Sequence, residues 1–123
     1  LKERQPLPAI ALTTNASAVT AIANDYDYSE IFSRQLQGLA KTGDVLVGIS
    51  TSGNSANVIE AIKMASECGV KSIALTGQNS SEAGNLADIA IRAPSTHTPR
   101  IQEMHIAIGH TLCELAENNL SET

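Results

Sequence analysis

The chain has 123 residues, of which 42% are hydrophobic, so it can form one domain with a sizeable core. Its net charge is −5 with only eight Lys and Arg residues, which argues against a nucleic-acid-binding surface because such a surface needs a basic patch. Aromatic residues make up only 2% of the chain, so aromatic stacking is not expected as its main mode of binding.

The apolar pattern predicts an α/β fold. In chain order it predicts a strand at 7–13, a helix at 16–23, a second helix after Ser29, a strand at 45–49, a helix at 54–68, a strand at 71–76, a polar loop at 79–87, a short strand at 88–92 and a long helix at about 99–119. Strands that alternate with helices form right-handed βαβ units. We therefore expect an open parallel sheet with helices on both faces and with strand 45–49 at its centre.

Two of the predicted helices have clear apolar faces. Ser29 is the expected cap of the second helix, and the expected buried face of that helix comprises Ile31, Phe32, Leu36 and Leu39. The last helix carries a near-heptad apolar stripe made of Ile101, Met104, Ile108, Leu112 and Leu115. This stripe exceeds what a peripheral helix needs, so we expect the protein to form an oligomer.

The cysteine content bears on the cellular compartment. Cys68 and Cys113 both fall in predicted helices and lack C-x-x-C spacing. We expect two buried, reduced thiols, which is typical of a cytoplasmic protein. No apolar run approaches the length of a membrane-spanning helix, so no membrane partner is predicted.

The most informative stretch is Ser50-Thr51-Ser52-Gly53-Asn54-Ser55, which joins an apolar strand to an amphipathic helix. The first N–H groups of a helix lack intrahelical partners, and the helix dipole adds partial positive charge there. Four hydroxyl groups in this stretch add hydrogen-bond donors, and Gly53 permits a tight turn. The stretch therefore predicts a phosphate site that needs no Lys or Arg.

An ordinary helix cap is the alternative interpretation of this stretch, because Ser, Thr and Asn are favoured there for capping alone. One capping residue satisfies that need, whereas this turn carries four hydroxyl groups, so phosphate binding is favoured. Other loop motifs are absent from the sequence. There is no G-x-x-x-x-G-K-[ST] or G-x-G-x-x-G, and Gly48-Ile49-Ser50-Thr51-Ser52 lacks the final Gly of a G-x-S-x-G elbow.

A second group of candidates lies on the last helix. Gln102 and His110 are eight residues apart, about 12 Å along the helix axis, so both can lean into one cleft. Histidine is the usual acid/base group near neutral pH and a common metal ligand, although a hydrogen-bonded core histidine is the alternative. The pair Asn24-Asp25 either contacts a ligand or ends the first helix.

Several segments together resemble a known family. They are Ala23-Asn24-Asp25, Phe32-Ser33, Gly43-Asp44-Val45-Leu46, the run from Gly48 to Ser55, Ala74-Leu75-Thr76-Gly77 and Arg100-Ile101-Gln102-Glu103-Met104-His105. In this order they resemble a sugar isomerase (SIS) domain of the phosphoheptose isomerase type, with a flavodoxin- or Rossmann-like three-layer fold. The resemblance implies conversion of D-sedoheptulose 7-phosphate into D-glycero-D-manno-heptose 7-phosphate through an enediol, the first step towards the ADP-heptose of lipopolysaccharide. It also implies a cytoplasmic, zinc-bound homotetramer with active sites at subunit interfaces.

The resemblance also implies roles for individual residues. The implied substrate-binding residues are Asn24, Asp25, Ser50, Thr51, Ser52, Ser55 and Gln102. Gln102 and His110 are implied to bind zinc as well, and His110 is implied to act as an acid/base. His105 matches no assigned role and is expected to be structural.

The chain departs from the family pattern in one respect. The family has an upstream strand, a Gly-Asn-Gly-Gly-Ser loop and a helix whose His and Glu complete the zinc site and supply the catalytic base. These 123 residues lack that part, so we expect a partial SIS domain, truncated at its N-terminus, that is not a complete enzyme alone. Two zinc ligands are too few for a tight site.

Two other functions are compatible with this type of domain. One is a non-enzymatic tetrameric adaptor that binds the bacterial replication initiator protein and shares the Arg-Ile-Gln-Glu-Met-His run. His110 and the unbroken Ser-Thr-Ser-Gly-Asn-Ser loop favour the enzyme over this adaptor. The other is a sugar-phosphate sensor within a transcriptional regulator, which the lack of a basic DNA-binding segment disfavours.

Overall fold

The computed structural model describes residues 3–121 and contains a three-stranded parallel sheet. The strands are β1 (Val45–Ile49), β2 (Lys71–Thr76) and β3 (Ile89–Arg92), in the order β1-β2-β3. In register, Val47 lies opposite Ile73, which in turn lies opposite Ile89. The predicted strands at 45–49, 71–76 and 88–92 are confirmed, the last of them beginning one residue later.

The predicted first strand, at 7–13, is wrong. This segment is not part of any strand, and its side chains are exposed except for the half-buried Leu12. Pro6 and Pro8 have no N–H to donate to a ladder, and no described strand pairs with the outer edge of β1. β1 is therefore an edge strand within residues 3–121, and β2 lies at the centre of the described sheet, so the prediction that strand 45–49 is central is wrong for these residues.

The predicted first helix is confirmed as α1 (Ala16–Asp25), and it continues two residues further than expected. The prediction that Ser29 caps the next helix is wrong. Instead, the Asp27 carboxylate accepts the backbone N–H of Ser29 and caps a short 3₁₀ helix, Tyr28–Glu30. This arrangement delays the start of α2 (Ser33–Leu39).

The buried face predicted for the second helix is only partly correct. Ile31 and Leu36 are buried and Phe32 is half-buried, but Leu39 is 52% exposed. Leu39 is the last residue of the short helix α2, and beyond it the chain turns away towards β1.

The core lies between the sheet and α3 (Ala56–Glu67), the helix predicted at 54–68. A side chain at Gly48 in β1 would meet Val58 and Ile62, so this glycine lets α3 pack closely on the sheet. The helix ends before Gly69, whose φ of +70° is the left-handed conformation typical of a helix C-cap. The residues of α3 that are buried in this core are Val58, Ile59, Ala61, Ile62 and Ala65.

The remaining helices are α4 (Glu82–Leu86), a short helix within the predicted polar loop 79–87, and α5 (Thr98–Ser121). The long helix predicted at about 99–119 is thus confirmed, beginning one residue earlier and ending two residues later. No helix within residues 3–121 is both long enough and apolar enough to cross a membrane.

The predicted α/β fold, a parallel sheet flanked by helices, is confirmed, but the helices cover its two faces unequally. Along β1, Leu46 and Gly48 face α3 and are buried, whereas Val47 and Ile49 point to the opposite face and are 45% and 57% exposed. α5 contacts β2 at its carboxyl end, where His105 meets the Thr76 carbonyl.

Candidate functional site

A polar cleft of about 360 Å³ lies at the carboxyl ends of the three strands. This edge is where open parallel sheets bind their ligands. The cleft is lined by Thr51, Ser52, Asn54, Gly77, Gln78, Asn79, Ser80, Ser95, Thr96, Thr98 and Ile101. None of these lining residues carries a charge, so hydroxyl and amide groups dominate the surface of the cleft.

The predicted phosphate-binding stretch from Ser50 to Ser55, which we call the Ser-rich loop, forms one wall of this cleft. Thr51 and Ser52 line it, whereas Ser50 and Ser55 lie behind and share a hydrogen bond of 2.9 Å between their hydroxyl oxygens. Ser50 is buried, and its hydroxyl oxygen accepts the backbone N–H of Gly53 at 3.1 Å. The four predicted hydroxyl groups are thus brought together, two of them facing the cleft and two supporting the loop.

The Ser-rich loop is held by α4. The Asn54 side-chain oxygen accepts the backbone N–H of Glu82 at 3.1 Å, and the Gly53 carbonyl accepts that of Ala83 at 2.9 Å. Gly53 has a φ of +67°, and a side chain there would collide with the Ser81 hydroxyl. The shape of the loop therefore depends on a glycine at this position.

The start of α3 lies at the same loop. Ser55 is its N-cap residue, but the Ser55 side chain makes no capping hydrogen bond within the described chain. The first N–H groups of this 12-residue helix and its dipole favour an anion at this end. Because the cleft lining is uncharged, this partial positive charge is its main source of attraction for a phosphate group.

Two further loops, which were not predicted from the sequence to belong to a site, complete the cleft. The loop after β2 contributes Gly77 to Ser80, and the loop after β3 contributes Ser95, Thr96 and Thr98. Backbone hydrogen bonds from Gly77 N–H to Thr51 O (3.0 Å) and from Gln78 N–H to Ser95 O (3.2 Å) join the three loops. Their position in the sequence could have identified them, because polar residues that directly follow adjacent parallel strands lie at the same edge of the sheet.

Besides Ser50 and Ser55, which support the loop from behind, four predicted site residues lie outside this cleft lining. Asn24 and Asp25 are exposed at the end of α1, where the Asn24 amide donates to the Asp25 carboxylate at 2.9 Å. Gln102 and His110 are exposed on α5, and neither belongs to the cleft lining, although their neighbour Ile101 does. The roles of these residues stay predictions.

His105 is buried where α5 meets the sheet. Its Nε2 lies 3.0 Å from the Thr76 carbonyl oxygen, and because a carbonyl only accepts, Nε2 carries the hydrogen. Its Nδ1 has no hydrogen-bond partner among residues 3–121. This arrangement agrees with the structural role expected for His105.

The described residues do not by themselves form a zinc site. Residues 3–121 contain no group of three or more His, Cys, Asp or Glu side chains placed to hold a metal. Gln102 and His110 would supply two ligands at most, whereas zinc in proteins has four ligands, at least three of them from the protein. Both cysteines are free, but Cys68 is only half-buried and Cys113 is exposed on α5, so the prediction of two buried thiols is wrong.

Comparison with known proteins gives a consistent set of relatives. The SIS domain family matches residues 1–77. Phosphoheptose isomerase from Rhodospirillum rubrum is 57% identical over 120 residues, covering 98% of this chain and 64% of that protein. Phosphoheptose isomerase from Aliarcobacter butzleri is 56% identical over 119 residues, covering 97% of this chain and 63% of that protein.

Solved structures of similar proteins agree with the fold. A phosphoheptose isomerase structure from Neisseria gonorrhoeae superposes with a TM-score of 0.86 at 48% identity, covering 89% of this chain and 61% of that one. A phosphoheptose isomerase structure from Francisella tularensis superposes with a TM-score of 0.87 at 42% identity, covering 90% of this chain and 60% of that one. The chain therefore spans slightly less than two thirds of the length of these relatives.

Proposed function

The chain belongs to the SIS domain family, and from this membership we propose that it is the sugar-phosphate-binding part of a phosphoheptose isomerase. The observation that carries the proposal is the 57% identity, over 98% of this chain, with a relative of that name. The polar cleft at the carboxyl edge of the sheet supports it, because its size and lining suit a phosphorylated sugar.

The proposed reaction interconverts D-sedoheptulose 7-phosphate and D-glycero-D-manno-heptose 7-phosphate, as a step towards ADP-heptose and lipopolysaccharide. A base removes a proton from C1, a C1=C2 double bond forms, and the C2 carbonyl oxygen gains a proton to give an enediol. The C1 hydroxyl then loses its proton, the C1 carbonyl forms and C2 gains a proton. This sequence needs one base and one acid near C1 and C2.

The Ser-rich loop is the proposed phosphate site. Thr51 and Ser52 face the cleft, and the start of α3 provides unpaired N–H groups and a favourable dipole. Ser50 and Ser55, which hydrogen-bond to each other, complete the loop. Binding of the phosphate at this end would hold the reacting carbons in place further along the substrate.

The proposed acid/base group on this chain is His110, with Gln102, Asn24 and Asp25 as further substrate contacts. The exposure of all four side chains supports this assignment, since an exposed polar group is free to meet a ligand.

The second acid/base group is not assigned to this chain. Zinc also stays a prediction, because Gln102 and His110 would supply two of its ligands and others must come from elsewhere.

We also propose that the protein is a cytoplasmic homotetramer. Large apolar side chains exposed on α5, among them Ile106 at 63% and Leu115 at 53%, support association between subunits. The mass of the chain in solution, measured by light scattering, tests this: a mass near 13 kDa would contradict it, since one chain is 12.9 kDa.

The proposed function is tested first by binding. We expect the chain to bind sedoheptulose 7-phosphate in calorimetry, and Ser52→Ala to weaken binding by about tenfold or more, because a hydrogen bond to a charged group is worth about 1.5–3 kcal/mol. Ser66→Ala, at an exposed position of α3 away from the cleft, is the matched control. If Ser52→Ala binds sedoheptulose 7-phosphate as tightly as the parent chain and Ser66→Ala do, the proposed phosphate site is contradicted.

A turnover assay with added zinc then tests the reaction. We expect His110→Ala to abolish any conversion of sedoheptulose 7-phosphate while leaving its binding within about tenfold of the parent chain, because an acid/base group acts mainly on the chemical step. A folded parent chain that binds no sugar phosphate at all would contradict the proposal and favour the adaptor alternative.

A further inference from the structure

Two carboxamide side chains of the cleft lining have free hydrogen-bonding groups. Gln78 and Asn79 follow directly after β2, are exposed, and line the cleft. Within the described chain neither side chain makes a hydrogen bond, although the Gln78 backbone N–H is held by Ser95 O at 3.2 Å. By contrast, the nearby Ser80 and Ser95 hydroxyl oxygens each already accept a hydrogen bond.

The backbone under these side chains is held in place. A side chain at Gly77 would come within 2.8 Å of both the Ile101 side chain and the Thr51 carbonyl oxygen, so the loop is packed between α5 and the Ser-rich loop. The Gly77 N–H also donates to Thr51 O at 3.0 Å. Gln78 and Asn79 thus extend from a fixed backbone, which reduces the entropy lost when they bind a ligand.

From this geometry we infer that Gln78 and Asn79 determine specificity by hydrogen-bonding the hydroxyl groups of the sugar chain, while the Ser-rich loop holds the phosphate. This inference rests on the proposed function. A carboxamide offers both donors and an acceptor, which matches a hydroxyl group. The cleft lining has no charged or aromatic side chain, so hydrogen bonds are the means it has to distinguish one polyol from another.

A site that hydrogen-bonds substrate hydroxyl groups discriminates against ligands that lack them. The test therefore compares two ligands that share a phosphate ester and differ in the polyol: sedoheptulose 7-phosphate and glycerol 3-phosphate. Each is titrated by calorimetry into the parent chain, Gln78→Ala, Asn79→Ala and the double variant. Gln37→Ala, an exposed glutamine on α2 without a described hydrogen bond, is the matched control.

We expect each single variant to raise the Kd for sedoheptulose 7-phosphate about 3- to 10-fold, the usual effect of one lost hydrogen bond, and the double variant to raise it further. The Kd for glycerol 3-phosphate should stay within about twofold of the parent value in all variants. Thermal unfolding midpoints should not change, because both side chains are exposed.

Three results would count against the inference. Unchanged Kd values for sedoheptulose 7-phosphate in the double variant would overturn it while leaving the proposed function in place. Equal losses for both ligands would also overturn it, because they would assign the effect to the phosphate site. If the parent chain binds neither ligand, the proposed function fails, and the inference fails with it.

Discussion

At the scale of single residues, the cleft depends on residues that do not line it. Gly53 has the backbone conformation that the Ser-rich loop requires, and His105 joins α5 to the end of β2 through the Thr76 carbonyl. That carbonyl also accepts the Ala93 N–H at 2.9 Å, so it stays paired if His105 is replaced. The two residues can therefore be tested for support of the site without changing its lining.

Gly53→Ala should lower the free energy of unfolding by about 2 kcal/mol or more. The left-handed conformation costs an L-residue about 1–2 kcal/mol, and the new methyl group would also collide with Ser81. Gly38→Ala is the control, because this glycine lies in α2 with no atom within 4 Å of the added methyl group, and alanine there should stabilise by about 0.5–1 kcal/mol. Urea denaturation measures both values, and equal effects would refute the argument.

His105→Leu should destabilise the protein by about 1 kcal/mol, because it removes a buried hydrogen bond while keeping an apolar volume. His105→Gln keeps a donor that can reach the same carbonyl and should recover part of the loss. Urea denaturation of both variants gives the comparison. Equal destabilisation by leucine and glutamine would mean that ring packing, rather than the hydrogen bond, is what matters.

At the scale of elements, the carboxylate of Asp88 joins β2 to β3. It accepts the Ser72 N–H at 2.8 Å and the Lys71 ammonium at 3.1 Å, immediately before β3 begins. The backbone hydrogen bond from Ser72, followed by the hydrogen bond from Lys71, lowers the pKa of Asp88 below its usual value of 3.8. The junction of these two strands therefore prefers an ionised carboxylate.

The stability of the protein should depend on pH through Asp88. Its pKa is lower in the folded state than in the unfolded chain, so its contribution is complete above the unfolded value near pH 4 and is lost as the pH falls through the folded value. Asp88→Asn should flatten the loss of stability below about pH 4. Denaturation midpoints measured from pH 2 to 7 test this prediction, and Glu67→Gln at the exposed end of α3 is the control. Parallel curves of midpoint against pH for the parent chain and Asp88→Asn would contradict the prediction.

At the scale of the whole molecule, the sheet has one covered face and one partly open face among residues 3–121. The open face carries Val45, Val47, Ile49 and Ile89, which are 45% to 58% exposed. Scattered exposed apolar residues are ordinary, but these four belong to two strands of one sheet and share a face. The open face should therefore behave as an apolar surface in solution.

This property predicts binding of a hydrophobic dye. The double substitution Val47→Thr and Ile49→Thr should lower the fluorescence of bound anilinonaphthalene sulfonate while changing stability by less than about 1 kcal/mol, because threonine keeps the β-branched shape in a strand. Leu39→Thr, which removes a similarly exposed leucine from α2, is the control. The same decrease with the control would mean that the dye does not bind the sheet face.

The sequence alone determined the features that depend on local pattern and chemistry. β1 and β2 have the predicted bounds because short apolar runs with polar turns at each end favour strands locally. The Ser-rich loop and the left-handed Gly69 follow from the conformations that serine and glycine favour next to a helix. The resemblance to SIS domains rests on these same local segments.

The tertiary structure decided everything that depends on which segments meet. Segment 7–13 has an apolar, strand-like composition, yet it is not a strand because a strand needs a partner and no described segment pairs with it. Gln78 and Ser95 reach one cleft only because parallel strands bring their carboxyl ends to one edge. The burial of His105 and the exposure of Cys113 likewise depend on where α5 lies on the sheet, since burial is a property of the packed chain.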